Sequence, residues 1–338
     1  MEKGASVIIC CYNSAPRLPE TLRHIAAQQV PPHIAWELLI VNNLSSDGTE
    51  EIAQAFFRTN PHISGAVLQE PTPGLSYARQ KGFDQARYEY VVLCDDDNWL
   101  KEDYLPTAFG IMEADPQIGA LGGCGTPVFE TGSSPRWFSE YQEYYATGPQ
   151  HPQSGDITRS RSFVYGAGAV FRLPALQHLQ RTGFEHLLTD RKGSSLVTGG
   201  DNELGYALVL SGYKIWYDER LQFFHFITAR RLHLSYFKKL AKYNAYSQFL
   251  LAPYVELIHP VHRQRYKYSV LWSMLALLLL FVKEDLLRLP SLLAQRMYYK
   301  FRISLAGRTG TLKALLEFPG YQYRTLNKLQ HASWNKRR

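Results

Sequence analysis

Apolar runs punctuate the first third of the chain, each followed by a polar turn and then by a stretch with helical spacing. Residues 6–11, 36–41, 66–69 and 91–94 are four such runs. Short, nearly uninterrupted apolar segments of this kind predict strands covered on both faces. Between them Leu18, Leu22 and Ile25 recur at helical spacing with Pro19 near the first turn, a position where proline's fixed φ suits a helix start. Ser46 or Asp47 stands where a helix through Ala53 and Phe57 needs a cap, and residues 76–86 predict a third helix. Strands alternating with helices predict right-handed crossovers and an α/β fold with a mainly parallel sheet flanked by helices.

Further along, residues 101–113 predict a helix ending before Asp115-Pro116, and 120–125 a glycine-rich strand. From 126 to 161 the periodicity dissolves into Pro, Gly, Ser and aromatics, the usual make-up of a substrate loop or lid. Residues 163–172 return to strand character, with glycines that admit a ligand or another backbone. A helix is predicted over 199–210, an edge strand over 214–217, and an apolar segment over 221–227 that carries His225.

Composition narrows the class. At 338 residues and 45% hydrophobic the chain can bury a large core and is globular. Cys10, Cys11, Cys94 and Cys124 include no CxxC pair and no zinc-like Cys/His spacing, so they are expected to be reduced. The amino terminus leads straight into a strand with no charged-then-apolar signal, which predicts a cytoplasmic protein.

Charge divides the chain. Residues 1–225 hold 17 Lys+Arg against 26 Asp+Glu, a net −9, whereas 226–338 hold 20 against 4, a net +16. An acidic front suits a metal carrying a phosphorylated ligand, and a basic back suits anionic lipid, an anionic polymer or nucleic acid. Residues 270–282 form a thirteen-residue apolar run, short of the roughly 18–20 residues a spanning helix needs. Arg263, Arg265, Lys267, Lys283, Arg288, Arg296, Lys300 and Arg302 surround it together with Trp272, Tyr298 and Tyr299, a setting that predicts attachment to an anionic membrane surface. The alternative is a helical appendage packed on the rest of the chain or on another subunit.

The fourth run ends in Asp95-Asp96-Asp97. Carboxylates at the carboxyl end of a buried strand lie where open α/β sheets bind ligands, and three together repel unless a cation neutralises them. A hard divalent metal is the natural partner.

With these motifs in place, residues 5–231 resemble a family-2 glycosyltransferase of the GT-A fold. Residues 6–13 resemble the family's opening strand and base-binding loop, and 40–49 its second-strand segment, usually richer in Asp. Residues 74–82 are similar to its glycine and Arg-Asn-x-x-Gly helix, with Gln80 where Asn is usual, and Asp95-Asp96-Asp97 resembles its metal-binding DxD. Gly200-Asp201 lies where an acidic pair carries the catalytic base; Gly200 replaces the first acid, so any auxiliary role is lost or passes to Glu203.

The resemblance implies a GT-A-like catalytic domain over 1–231, a basic and mainly helical region over 232–338, and Mg²⁺ or Mn²⁺ as cofactor. It implies that Cys11, Tyr12, Asn13 and Asn43 form the base site, Tyr12 stacking and the two asparagines meeting the polar edge, and that Arg79 contacts the pyrophosphate. Asp97 would touch the metal, Asp95 the ribose or a metal-bound water, and Asp96 would be the variable middle position; His225 would complete the metal site. Asp201 would deprotonate the acceptor, and Trp137, Tyr165, Gly166 and Gly168 would form the acceptor platform. The expected activity is inverting transfer of a hexose from a nucleotide sugar, UDP favoured, to a saccharide or lipid-linked acceptor in surface-polysaccharide assembly at the inner membrane face, with no nucleic-acid partner. The rival readings are a nucleotidyltransferase, whose basic, glycine-rich signature after the first strand is missing at Tyr12-Asn13-Ser14, and a non-catalytic binding module.

Overall fold

The computed structural model describes residues 1–188, 197–259 and 295–336. The apolar run 270–282 and the basic residues around it from Arg263 to Arg288 lie outside the described residues, and of Arg296 and Tyr298 only the backbone is described. In chain order the elements are β1 Glu2–Cys11, α1 Leu18–Ala26, β2 Trp36–Asn42, α2 Thr49–Thr59, β3 Gly65–Gln69, α3 Leu75–Gln85, β4 Tyr88–Asp95, β5 Asn98–Leu100, α4 Tyr104–Ala114, β6 Ile118–Phe129, β7 Gly155–Asp156, β8 Val170–Arg172, α5 Leu173–Arg181, α6 Gly200–Leu210 and β9 Lys214–Ile227. The helices α7 Leu234–Ile258, α8 Gln295–Glu317 and α9 Tyr321–Gln330 follow.

The strands form one sheet in the order β3-β2-β1-β4-β8-β6-β9-β5, with β7 paired to β9. From β3 to β4 all pairings are parallel, as repeated β-loop-α units require. The mixture enters with β8, which runs antiparallel to both β4 and β6. Two local expectations change here. Of residues 163–172 only 170–172 are strand; the preceding stretch bends at Gly168, whose φ of 69° breaks an extended chain. Residues 214–227 form one continuous strand, flanked by β6 on one side and by β5 and β7 on the other, so 214–217 is interior rather than an edge.

Alternation explains the apolar runs. Ile8, Leu39, Val91 and Leu93 enter the core cluster shared with α3, α5, α6 and α7. Val7, Ile9, Leu38, Ile40, Val92 and Cys94 enter the opposite cluster, shared with α1, α2 and α4. A strand whose successive side chains point to opposite faces has no polar position to spare when helices cover both. All four cysteines are free.

The C-terminal helices pack into this architecture. Leu250, Leu251, Tyr254 and Ile258 of α7, Leu329 of α9 and Trp334 belong to the α5–α6 core cluster. The Ser211 hydroxyl donates to the Trp334 carbonyl at 3.0 Å, and the Lys336 N–H to the Leu210 carbonyl at 2.8 Å. A third cluster joins the irregular stretch to α7: Trp137 stacks on Phe237 at 4.8 Å, with Phe138 and Tyr145 alongside.

Gly82 lets α3 seat on β1, since a Cβ there would lie 2.5 Å from Ile8 Cγ2. Gly82→Ala is therefore expected to lower stability by about 1–2 kcal/mol, the overpacking cost outweighing the helix-propensity gain. Urea unfolding monitored by circular dichroism measures this, and an unchanged or raised midpoint would contradict it.

Candidate active site

The parallel half of the sheet delivers three chain reversals to one edge. β1 ends at Cys11, β2 at Asn42 and β4 at Asp95, in adjacent register. The loops beyond them, with α3, the 161–167 segment, the start of α6 and one face of α7, enclose a cleft of about 610 Å³.

At its acidic end, the turn after β4 is closed by the Asp95 N–H donating to Asn98 Oδ1 at 3.2 Å. The pairing of β5 with β9 sets Asn98 opposite His225. That register brings His225 Nε2 to 3.4 Å from Asp97 Oδ1, while the Phe226 N–H donates to the Asp97 carbonyl at 2.9 Å. The chain then returns through Arg231, whose Nη1 donates to Asp97 Oδ2 at 3.0 Å. Burial works against the Arg231 charge, and Asp97 together with Tyr236, Tyr145 and Asp95 more than restores it. Asp96 turns toward α1: Arg17 Nη2 donates to its Oδ2 at 2.5 Å, and the Thr21 hydroxyl to its carbonyl at 2.8 Å. Burial, then the Asp97 charge, pushes the Asp96 carboxyl up to about 6, with Arg17 opposing.

At the nucleotide end of the predicted site, Tyr12 is 60% exposed and presents its ring to the cleft. Cys11 is buried, and its carbonyl accepts the Asn43 N–H at 2.9 Å. The Asn43 side chain ties down the 70–74 loop, donating to the Glu70 and Thr72 carbonyls at 2.9 and 2.7 Å and accepting from the Gly74 N–H at 2.8 Å. Asn13, with φ 50°, accepts the Ser46 N–H at 2.8 Å on its Oδ1 and so fastens the first loop to the second.

On the other wall, Gly199 at φ 113° opens α6 and sets Asp201 in its first turn. Asp201 Oδ2 accepts the Gly166 N–H. A Cβ on Gly166 would lie 2.9 Å from Arg79 Nη2 and 3.1 Å from Asp201 Oδ2, so α3, the 166 loop and α6 meet where only glycine leaves room.

The cleft thus gathers Cys11, Tyr12, Asn43, Arg79, Asp95, Asp96, Asp97, Tyr165, Gly166, Asp201 and His225. Three sequence candidates do not line it. Asn13 is a loop fastener, Trp137 is buried against Phe237, and Gly168 faces the core, where its carbonyl accepts the Tyr104 hydroxyl. Glu203 is wholly buried beneath Asp201, accepting the Leu187 N–H at 2.7 Å and the Tyr254 hydroxyl at 3.2 Å. Sequence reasoning missed Arg17, Arg161 and Arg231 and the α7 residues Asn244, Ser247 and Gln248. Only Arg231, six residues beyond His225, carried a positional hint.

Comparison with known proteins agrees with this geometry. The chain is 31% identical over 175 residues to the poly-beta-1,6-N-acetyl-D-glucosamine synthase of Staphylococcus epidermidis, covering 52% of this chain and 41% of that protein. It is 36% identical over 107 residues to TuaG of Bacillus subtilis, a protein named for teichuronic acid biosynthesis, covering 32% of this chain and 41% of the relative. The alignments thus span well under half the length of either relative. Among solved structures, the mannosyltransferase PcManGT from Pyrobaculum calidifontis, in complex with GDP-Man and Mn²⁺, superposes with a TM-score of 0.60 at 18% identity, over 94% of this chain and 88% of that one. S. aureus TarS in complex with UDP superposes at 0.51 and 17% identity, over 93% and 92%. These two establish the GT-A-like fold. The model for glycosyl transferase family 2 matches residues 6–180, more than half the chain, and the protein belongs to that family.

Proposed function

We propose that this glycosyltransferase carries out metal-dependent, inverting transfer of a hexose from a nucleotide sugar, with a UDP-sugar favoured, to a saccharide or lipid-linked acceptor in the assembly of a cell-surface polysaccharide. The observation that carries the reading is that the carboxylates after β4 and Asp201 of α6, far apart in sequence, line one cleft. Relatives named for N-acetylglucosamine polymer and teichuronic acid synthesis support the setting. Neighbours bound to UDP, or to GDP-Man with Mn²⁺, support a nucleotide-sugar donor and a divalent ion.

The residues present fit such an ion. Asp97 and His225 combine a hard oxygen with an imidazole whose Nε2 faces that oxygen at 3.4 Å, and among the described residues the buried Nδ1 of the ring has no hydrogen-bond partner. Among the described residues no three acidic, His or Cys side chains converge as a closed cage, which suits an ion held by one or two protein groups, with phosphates and water completing its shell. When bound, it supplies Lewis-acid stabilisation of charge on the diphosphate. Asp97 and His225 would hold it, with Asp95 on the ribose or on a water of the ion.

Tyr12 offers its ring face to the base. The Asp201 carboxylate removes the acceptor hydroxyl proton as that oxygen attacks the anomeric carbon. The new bond forms on the face opposite the breaking one, whose electron pair leaves with the nucleoside diphosphate. Arg79 reaches the pyrophosphate with its planar fork of donors. The Nη2 of that same fork lies beside Gly166, as Asp201 Oδ2 does, so base and leaving group would meet around one guanidinium.

The basic C-terminal region is read as resting on anionic lipid at the inner membrane face. Among the described residues no helix is long and apolar enough to cross a membrane.

Asp201→Asn is expected to cut transfer by roughly 10²–10⁴-fold, the usual worth of a positioned base, with UDP affinity intact. Labelled-sugar transfer measured beside UDP calorimetry decides it, and retained turnover moves the base elsewhere. UDP with Mn²⁺ is expected to raise the thermal midpoint more than UDP alone, a ligand of the native state being stabilising in proportion to its saturation. Asp97→Ala is expected to erase that metal-dependent increment, and an increment that survives would free Asp97 from the role. The full-length chain is expected to sediment with anionic vesicles and to be released as salt is raised; equal sedimentation with neutral vesicles would refute the attachment.

A further inference from the structure

The positive charges of the cleft are not disposed alike. Arg17 pairs with Asp96 and Arg231 with Asp97. Arg161 differs. Its guanidinium lies over two rings, 4.6 Å from the centroid of Phe163 and 4.5 Å from that of Tyr165, and its Nη1 donates to the Gln150 carbonyl at 3.1 Å. Among the described residues its buried Nε has no hydrogen-bond partner. Among the described residues no carboxylate is in ion-pair range of it, although Glu143 lines the same cleft. A guanidinium held by two aromatic rings and a backbone carbonyl is restrained, so a ligand that engages it loses little further side-chain freedom.

Arg161 belongs to the Asp201 side. Tyr165, stacked on it, precedes Gly166, whose N–H holds Asp201. The tyrosines Tyr165 and Tyr206 are raised first by burial, and each then responds to Arg161 and Asp201 in opposite senses. Opposite stands α7, which presents Leu240, Asn244, Ser247, Gln248 and Leu251 to the cleft. Ser247 is 2% exposed, and among the described residues its Oγ has no hydrogen-bond partner. A buried hydroxyl left unmatched in a cavity wall is one that a ligand's hydroxyl can satisfy.

We propose that the acceptor is an anionic saccharide: its carboxylate or phosphate pairs with Arg161, a ring hydroxyl meets Ser247 on α7, and the hydroxyl to be glycosylated faces Asp201. This rests on the reading of Asp201 as the base. The chemistry is that of a fixed cation meeting an oxyanion, worth more than a neutral hydrogen bond when partly desolvated.

The test uses the full chain saturated with UDP and Mn²⁺, so that the donor site is filled. Calorimetry compares methyl β-D-glucuronide with methyl β-D-glucoside, and glycerol 1-phosphate with glycerol. The expected result is roughly tenfold or greater preference for one anion over its neutral counterpart, the worth of one charge-assisted bond. Which pair shows the preference separates a carboxylate source from a phosphate source. Arg161→Gln is expected to abolish the preference and leave both UDP and neutral-sugar binding unchanged, with Arg161→Lys retaining part of it. Equal affinities within both pairs in the unaltered protein overturn the proposal without recourse to any variant. Loss of UDP affinity in Arg161→Gln with the preference intact assigns Arg161 to the donor and overturns it as well. Failure of UDP to bind at all strikes the donor reading instead, and is seen before any acceptor is added.

Discussion

Three carboxylates crowded at the end of one buried strand are the constraint that the rest of the cleft answers. At an effective dielectric of about 20, two such charges 4 Å apart repel by about 4 kcal/mol, so the turn after β4 needs positive partners even before a ligand arrives. The fold supplies them from both directions. Arg17 comes from the first helix and takes Asp96, while Arg231 comes from beyond the last strand and takes Asp97. The short β5–β9 pairing is what makes the second approach possible, because its register fixes His225 and then the return of the chain. Sheet topology and site electrostatics are here one problem with one solution.

The same pairings distinguish Asp96 from Asp97. Asp96 is bound to α1 through side chain and backbone. Asp97 faces His225 and Arg231. Membership of a glycosyltransferase family sets aside the nucleotidyltransferase and the non-catalytic alternatives.

How much of this was legible in the residues depended on the range over which the signal acts. Strands β1, β2 and β4 announced themselves because burial on both faces leaves few polar positions, and α1 because Leu18, Leu22 and Ile25 share one face. The stretch 163–169 misled because its residues are apolar and buried, yet Gly168 takes a left-handed conformation that no apolar pattern reveals. Residues 214–217 read as an edge because the strand's continuation through 227 was divided by Asp218, Glu219 and Arg220, of which Asp218 and Arg220 pair with each other. In the site, ordered motifs exposed Asp95, Asp97, Arg79 and Asp201. Arg17 and Arg231 were hidden because their partners lie 79 and 134 residues away. The polar face of α7 was hidden for a different reason: Asn244, Ser247 and Gln248 form no motif, and only folding against α6 gives them a common purpose.

Helix α7 has two commitments. One side completes the core with Leu250, Tyr254 and Ile258, and another edges the cleft with Asn244 and Gln248. Removing the C-terminal region would therefore uncover apolar surface on α5 and α6 and open the cleft in the same act. A truncated chain would not report on an intact catalytic unit. Exchange of acceptor preference between related enzymes would accordingly be sought by grafting single turns of α7, keeping its inward leucines and tyrosine and varying the residues between them.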